Sequence, residues 1–396
     1  MKRRFIFILF SILFNQFSWA QPAYLLTDLS IQLESTEAID SMYNFSFQEA
    51  EKQFTWITQE HPNHPLGYLL LAMNNWWKIL PEDHIKTNDT QFYKYIDITV
   101  RLSKQLLKED PTNEEADFFL ASAYGLKARR HSDQDDYTKA LSATSSALKY
   151  LEIEQKRTLL SPEFLFGEGM YNYFREWISD NKRFLKPIML FFKKGDRGKG
   201  LAQLREASNN AFYSRIEAMI FHMKVIGEFE EKKDIKKASN IAAYLHSQYP
   251  QNSYFENHLA KYTFYLGKRK KALTHFQSIY DKYEHKQVGY GLQNGRLASY
   301  HLGVLYNQIK HNTDSSMYYY KQCVSISEEL GEAFTSRGYC KLSLTILAKN
   351  AIKNNDMEQA SSYYEKVLNY SKKNSSYHKE ARSFFKKEKK RKRRNL

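Results

Sequence analysis

The chain has 396 residues, of which 42% are hydrophobic, and a formal net charge of +15 at pH 7. This apolar content supports a large buried core and excludes a chain that is disordered throughout. With only 15 Gly and 8 Pro, the chain has few of the residues that end strands and form tight turns, so its composition favours helices.

The first 20 residues have the pattern of an export signal. Three basic residues precede an apolar run over residues 5–14, and Ser18 and Ala20 place small residues at the two sites that a signal peptidase recognises. A retained membrane anchor is the alternative, but the run is about half the length that a spanning helix needs. We predict an exported protein, cleaved after Ala20, that is periplasmic, outer-membrane-associated or secreted.

Small and apolar residues recur along the chain at fixed positions of a 34-residue unit. The clearest step joins Ala238 and Ala272, which stand 34 residues apart where the two helices of a hairpin would cross. The first unit, residues 31–64, keeps the same register, and looser units follow on both sides of the clear step. We also expect a long loop over residues 129–136. These units resemble tetratricopeptide repeats (TPRs) over most of residues 31–370.

The resemblance predicts an all-α fold: a superhelix of TPR-like helical hairpins, or α-solenoid, with an irregular central insert. Residues 164–204 are also similar to a eukaryotic TPR family tied to the mitochondrial outer membrane and inclusion-body clearance. That similarity implies helical scaffolding and membrane proximity, and brings no catalytic residues. We divide the chain into an export signal (1–20), N-terminal repeats (21–160), a glycine- and aromatic-rich insert (161–200), C-terminal repeats (201–380) and a basic tail (381–396).

The insert contains the features that depart most from the repeat pattern. Gly167 and Gly169 lie within one helical turn and permit close packing against a neighbouring helix. The apolar run over residues 184–192 is too short to span a bilayer; it packs in the core, caps the first half of the array or enters a membrane interface. A glycine-rich stretch follows at 195–200, where free backbone N–H groups at a helix start would attract an anion. The candidate membrane or anion contacts are Phe191, Phe192, Arg197 and Lys199.

The positive charge is concentrated at the two ends of the chain. The basic tail contains nine basic residues and one acidic residue, and the export signal contains three basic residues. The remaining chain has a net charge of only +4, which argues against a nucleic-acid partner. The tail either meets an anionic lipid or an acidic glycan, or is a solvated end without a partner.

The sequence contains no local catalytic, metal-binding or dinucleotide-binding motif, so we predict a non-enzyme without a metal or cofactor. An enzyme that draws carboxylates from distant repeats is an alternative, because such pairs leave no local motif. Cys323 and Cys340 either form a disulfide or stay as buried free thiols.

The leading hypothesis is a non-catalytic scaffold that binds a protein or peptide partner in the cell envelope. In such arrays the first helix of each hairpin lines the concave wall, where aromatic anchors and charged side chains hold an extended peptide. A peripheral membrane protein that uses residues 184–192 and the basic tail is the rival hypothesis. Trp76 and Trp77, two of the candidate residues, have a second interpretation: they fill the junction between two hairpins. The candidate partner-binding residues are Trp76, Trp77, Asn257, Lys261, Phe264, Tyr265 and Lys349.

Overall fold

A computed structural model describes residues 24–82, 85–151 and 160–394, and the predicted export signal lies outside this part. The described residues form 19 α-helices and no strand. None of these helices is both long enough and apolar enough to cross a membrane. The helices are α1 (Leu29–Tyr43), α2 (Phe47–Glu60), α3 (Leu66–Ile79), α4 (Asp89–Glu109), α5 (Glu114–Asp133), α6 (Tyr137–Leu151), α7 (Ser161–Asn181), α8 (Lys186–Met189), α9 (Arg197–Asn210), α10 (Arg215–Lys224), α11 (Ile235–Gln248), α12 (Ser253–Tyr265), α13 (Arg269–Glu284), α14 (Leu292–Leu305), α15 (Thr313–Glu329), α16 (Glu332–Thr335), α17 (Gly338–Lys353), α18 (Met357–Tyr370) and α19 (Ser376–Arg394).

The helices pack as consecutive antiparallel hairpins, which confirms the predicted all-α helical-repeat fold. The hairpins are α1–α2, α3–α4, α5–α6, α7–α9, α10–α11, α12–α13, α14–α15 and α17–α18, and α19 packs on the last of them. Small residues occupy the helix crossings, because a larger side chain there would push the two helices apart. Ala50, Ala238, Ala272 and Ala360 are fully buried at these positions.

The expected long loop over residues 129–136 is wrong, because α5 continues to Asp133. Arg130 holds this last turn in place: its guanidinium is fully buried and donates to the Asp89 carboxylate of α4 at 2.8 and 3.0 Å. Gln134 donates to the same carboxylate at 2.8 Å. These long-range contacts extend the helix, so the turn to α6 takes only residues 134–136.

The glycine-rich stretch lets α7 and α9 touch backbone to backbone. A Cβ atom on Gly200 would lie 2.6 Å from the backbone nitrogen of Tyr173 and 2.8 Å from the carbonyl oxygen of Gly169. A Cβ atom on Gly169 would lie 3.0 Å from the carbonyl oxygen of Gly200, so neither position has room for a side chain. The close packing expected for Gly169 is therefore observed, whereas Gly167 faces the side chain of Leu151.

The superhelix closes on itself, because the turn between α1 and α2 packs against α11 and α12. The Asn252 side chain donates to the carbonyl oxygen of Tyr43 at 2.7 Å, and the Tyr249 hydroxyl donates to Asp40 at 2.8 Å. Both contacts join residues 209 positions apart in the chain. The closure brings helices of the second to the sixth hairpin around one interior space.

Candidate binding sites

The interior space is an apolar cavity of about 640 Å³, within the ~300–1,000 Å³ range of small-molecule sites. Its walls come from α3, α5, α6, α7 and α10, with Tyr254 added from α12. Apolar and aromatic side chains dominate the lining, because the inner helices point their apolar faces at one another across the closure. The lining residues include Leu70, Met73, Phe118, Met170, Phe174 and Trp177.

Trp76 and Trp77 both line this cavity, with only 3% and 1% of their surfaces exposed. The Trp77 ring packs edge-on against Tyr43 at 5.2 Å and Phe255 at 5.7 Å between centroids, so it joins α1, α3 and α12 at the closure. Its Nε1–H donates to Glu217 Oε1 at 3.0 Å. The chain's own residues thus surround both indoles, and their contact with a partner stays a prediction.

Two half-buried cations line the cavity. The Arg129 guanidinium sits 5.7 Å from the Trp76 ring centroid and 5.3 Å from that of Phe221, and its Nε donates to Asp133 at 3.1 Å. The Lys224 ammonium lies 5.9 and 6.0 Å from two aromatic centroids and has no carboxylate within 4 Å in the described part of the chain. Burial lowers the pKa of Lys224 to about 8.

The carboxylates of the cavity are engaged by other groups. Glu217 accepts from Trp77 and from the Tyr43 hydroxyl, and burial raises its pKa. Glu163 accepts from the backbone N–H groups of residues 212–214 before α10, at 2.6 to 3.0 Å. These two carboxylates therefore hold the walls together, which is a structural role.

The apolar run over residues 184–192 forms one side of the cavity and also faces outward. Leu185, Met189 and Phe192 line the cavity, whereas Leu190 and Phe191 are 78% and 90% exposed. The segment is anchored from within, because one terminal nitrogen of Arg175 donates to the carbonyl oxygens of Met189 and Phe192 at 2.8 and 3.2 Å. The inner face of the segment therefore packs in the core, as one of the predicted alternatives had it. Membrane contact of Phe191 and Phe192 stays a prediction.

A carboxylate of the chain itself, that of Asp196, occupies the N-terminus of α9, where the sequence predicted an anion. Asp196 caps the helix by accepting from the backbone N–H of Lys199 at 2.9 Å, and Arg197 pairs with Asp180 at 2.7 Å. The Lys199 side chain is exposed. Anion or membrane contact by Arg197 and Lys199 stays a prediction.

The four predicted residues of α12 divide into two groups. Asn257 donates to Asn294 of α14 at 2.5 Å, and Phe264 packs against His301 of α14, so both serve helix packing. Lys261 and Tyr265 are more open: the lysine lies 3.6 Å from Glu228, and Tyr265 is 58% exposed.

Lys349 lies on α17, and its Nζ pairs with Glu380 of α19 at 3.0 Å. The lysine side chain is 60% exposed, so the pair is a surface contact between the last hairpin and the terminal helix.

Tyrosines recur on α12, α14, α17 and α19 of the C-terminal half, and the sequence predicted only one of them, Tyr265. Tyr300 of α14 stacks on Tyr339 of α17 with centroids 4.5 Å apart. Burial raises the pKa of Tyr339, and the nearby Tyr265 hydroxyl adds to this shift. The Lys341 ammonium lies 5.4 Å from the ring centroid of Tyr377 on α19. We call Tyr265, Tyr300, Tyr339 and Tyr377 the tyrosine row.

The cysteines and the basic end complete the predicted features. Cys323 and Cys340 are buried free thiols, and burial raises the pKa of Cys340 to about 12.

The predicted tail begins inside α19, where Ala381 and Phe384 are buried in the last core cluster. Among the described residues, no group of three His, Cys, Asp or Glu side chains forms a metal site.

No family model and no curated protein matches this chain. Among solved structures, the crystal structure of yeast Tom70 is similar at 13% sequence identity and a TM-score of 0.22. The match covers 92% of this chain and 96% of that chain. The assignment of the chain to an all-α helical-repeat fold rests on its own hairpins.

Proposed function

We propose that this chain is a non-catalytic scaffold that binds an extended segment of a partner protein along the inner wall of its C-terminal half. The tyrosine row is the observation that carries the proposal. Three of its rings lie on successive first helices, which form the concave wall in arrays of this kind, and the fourth, Tyr377, lies on the terminal helix. Large rigid rings of this type supply most of the binding energy at peptide interfaces.

The side chains beside the row indicate the chemistry of the partner. Lys261 precedes Tyr265 by one turn of α12, and the Lys341 ammonium lies beside the Tyr377 ring, so a cation accompanies the row at each end. A peptide with apolar side chains and carboxylates fits this wall, because its carboxylates would form charge-assisted hydrogen bonds with the lysines.

Cross-linking and affinity capture from native cell envelopes, with quantitative mass spectrometry, tests the proposal. The double variant Lys261→Glu, Tyr265→Ala should reduce recovery of the partner about tenfold or more. The matched control is Lys236→Glu, Tyr244→Ala on α11, because these two side chains are also exposed. Equal recovery with the wild type and both variants would exclude this wall as the binding site.

Export to the cell envelope is part of the same proposal and is supported by the pattern of residues 1–20. Cell fractionation and mass spectrometry of the native protein test it. We expect the protein in the cell-envelope fraction, with a chain that starts at Gln21. A cytosolic chain that retains residues 1–20 would refute export.

Membrane association is a second candidate, favoured by the exposed apolar face of residues 184–192. Phe184, Leu190 and Phe191 are 62%, 78% and 90% exposed, and the basic end of α19 offers attraction to anionic lipids. Flotation with anionic liposomes should fall when Leu190 and Phe191 are changed to serine, and fall further when residues 386–396 are deleted. Val288→Ser is the control, because Val288 is 60% exposed elsewhere. No flotation of the wild type would exclude this candidate.

A further inference from the structure

The cavity of the N-terminal half has two properties that the scaffold function does not use. Its lining is mainly apolar and aromatic, and it includes a lysine, Lys224, that has no carboxylate within 4 Å among the described residues. An apolar cavity favours a ligand with a large apolar part, because burying such a surface removes it from water. A cation in the same wall adds a requirement for charge.

The charges at the cavity can be paired one by one. Arg129 is neutralised by Asp133 at 3.1 Å, and Glu217 is held by Trp77 and Tyr43. Glu228, the nearest carboxylate along the chain to Lys224, lies within ion-pair distance of Lys261 and His258. Lys224 is half-buried and has no carboxylate within 4 Å in the described part of the chain. Glu217 and Glu228 act on its charge only from farther away, so a carboxylate head group in the cavity would be its first direct ion-pair partner.

We propose that the cavity binds a single-chain amphiphile with a carboxylate head, of the long-chain fatty acid class. The alkyl chain lies among the apolar side chains of α3, α5 and α7, and the carboxylate pairs with the Lys224 ammonium. The apolar segment 184–192 forms the adjoining wall, with apolar residues on both its cavity face and its outer face. This site is separate from the tyrosine row and does not depend on the proposed peptide binding.

Titration calorimetry of the full mature chain with palmitate, below its critical micelle concentration, tests the proposal. Tryptophan fluorescence gives a second readout, because Trp76, Trp77 and Trp177 line the cavity. Laurate, four methylenes shorter, should bind about 250-fold more weakly than palmitate, since each buried methylene contributes about fourfold. Wild-type protein that binds no palmitate would overturn the proposal.

Two variants locate the ligand within the cavity. Lys224→Met should weaken palmitate binding about 10- to 100-fold and leave hexadecanol binding unchanged, because only the charged head uses the ammonium. Gly125→Leu should abolish binding of both, because a Cβ atom on Gly125 meets nothing within 4 Å and the leucine would occupy cavity space. Lys236→Met, at an exposed position, is the control and should bind as the wild type.

The variants also separate the proposal from adsorption of lipid to the surface. Palmitate affinity that is the same in the wild type and Gly125→Leu would place the ligand outside the cavity and overturn the assignment. Equal loss of palmitate and hexadecanol in Lys224→Met would overturn the role of the ammonium. If Lys224→Met does not fold, as judged by circular dichroism, Gly125→Leu still decides, because leucine favours a helix more than glycine does.

Discussion

Replacing Trp77 with alanine tests whether the closure stabilises the array. The Trp77 ring is 1% exposed, packs on Tyr43 and Phe255, and donates to Glu217. Removing a buried tryptophan side chain lowers the free energy of unfolding by about 3–5 kcal/mol. Since 1.4 kcal/mol corresponds to a factor of ten, the equilibrium constant for unfolding should rise by roughly two to three and a half powers of ten.

The distribution of the effect is more informative than its size. In a simple solenoid each hairpin contacts only its neighbours, so the damage would stay within α2, α3 and α4. Here Trp77 joins α3 to α1 and α12, so hydrogen exchange followed by mass spectrometry should also speed up in residues 29–43 and 249–265. Acceleration confined to α2–α4 would refute the closure as a stabilising contact.

Trp56 provides the control for this experiment. Its side chain is 40% exposed on α2, away from the closure. Trp56→Ala should cost about 1 kcal/mol or less, and any faster exchange should be local to α2 and its neighbours.

Two further predictions concern packing and pH. Gly200→Ala should lower the unfolding free energy by about 1–3 kcal/mol in urea titrations, because its Cβ meets backbone atoms of α7, whereas Gly125→Ala should raise it by about 0.5–1 kcal/mol. His301 is buried and its pKa falls to about 4, so the unfolded chain binds a proton that the folded chain does not, and stability should fall as the pH drops from about 6.5 towards 4. His301→Phe should flatten this dependence by up to about 1.4 kcal/mol per pH unit, and an unchanged slope would contradict the assignment.

The repeat register was predictable because it depends on residues that a hairpin needs wherever it stands. Ala238 and Ala272 must be small because two helices cross there, and both are fully buried. Of the glycines of the insert, Gly169 was predicted as a site of close approach, whereas its partner Gly200 was not. The length of α5 was missed because a buried pair, Arg130 with Asp89, overrides the local sequence.

The candidate sites were predictable only in part. Lys261 and Tyr265 follow from the position of the concave wall, whereas Asn257 and Phe264 share that register but serve packing between α12 and α14. Tyr300 and Tyr339 were missed because their stacking joins two hairpins across a connection of irregular length. A 34-residue register cannot align residues across such a connection.

By itself, the sequence determined that the chain is built of helical hairpins, because local periodicity and small residues at crossings suffice to specify each hairpin. Only the tertiary structure decided that the array closes after about five hairpins. That closure depends on contacts such as Asn252 to Tyr43, which join residues 209 positions apart and leave no local pattern. The apolar cavity and the burial of Trp77 both follow from this closure.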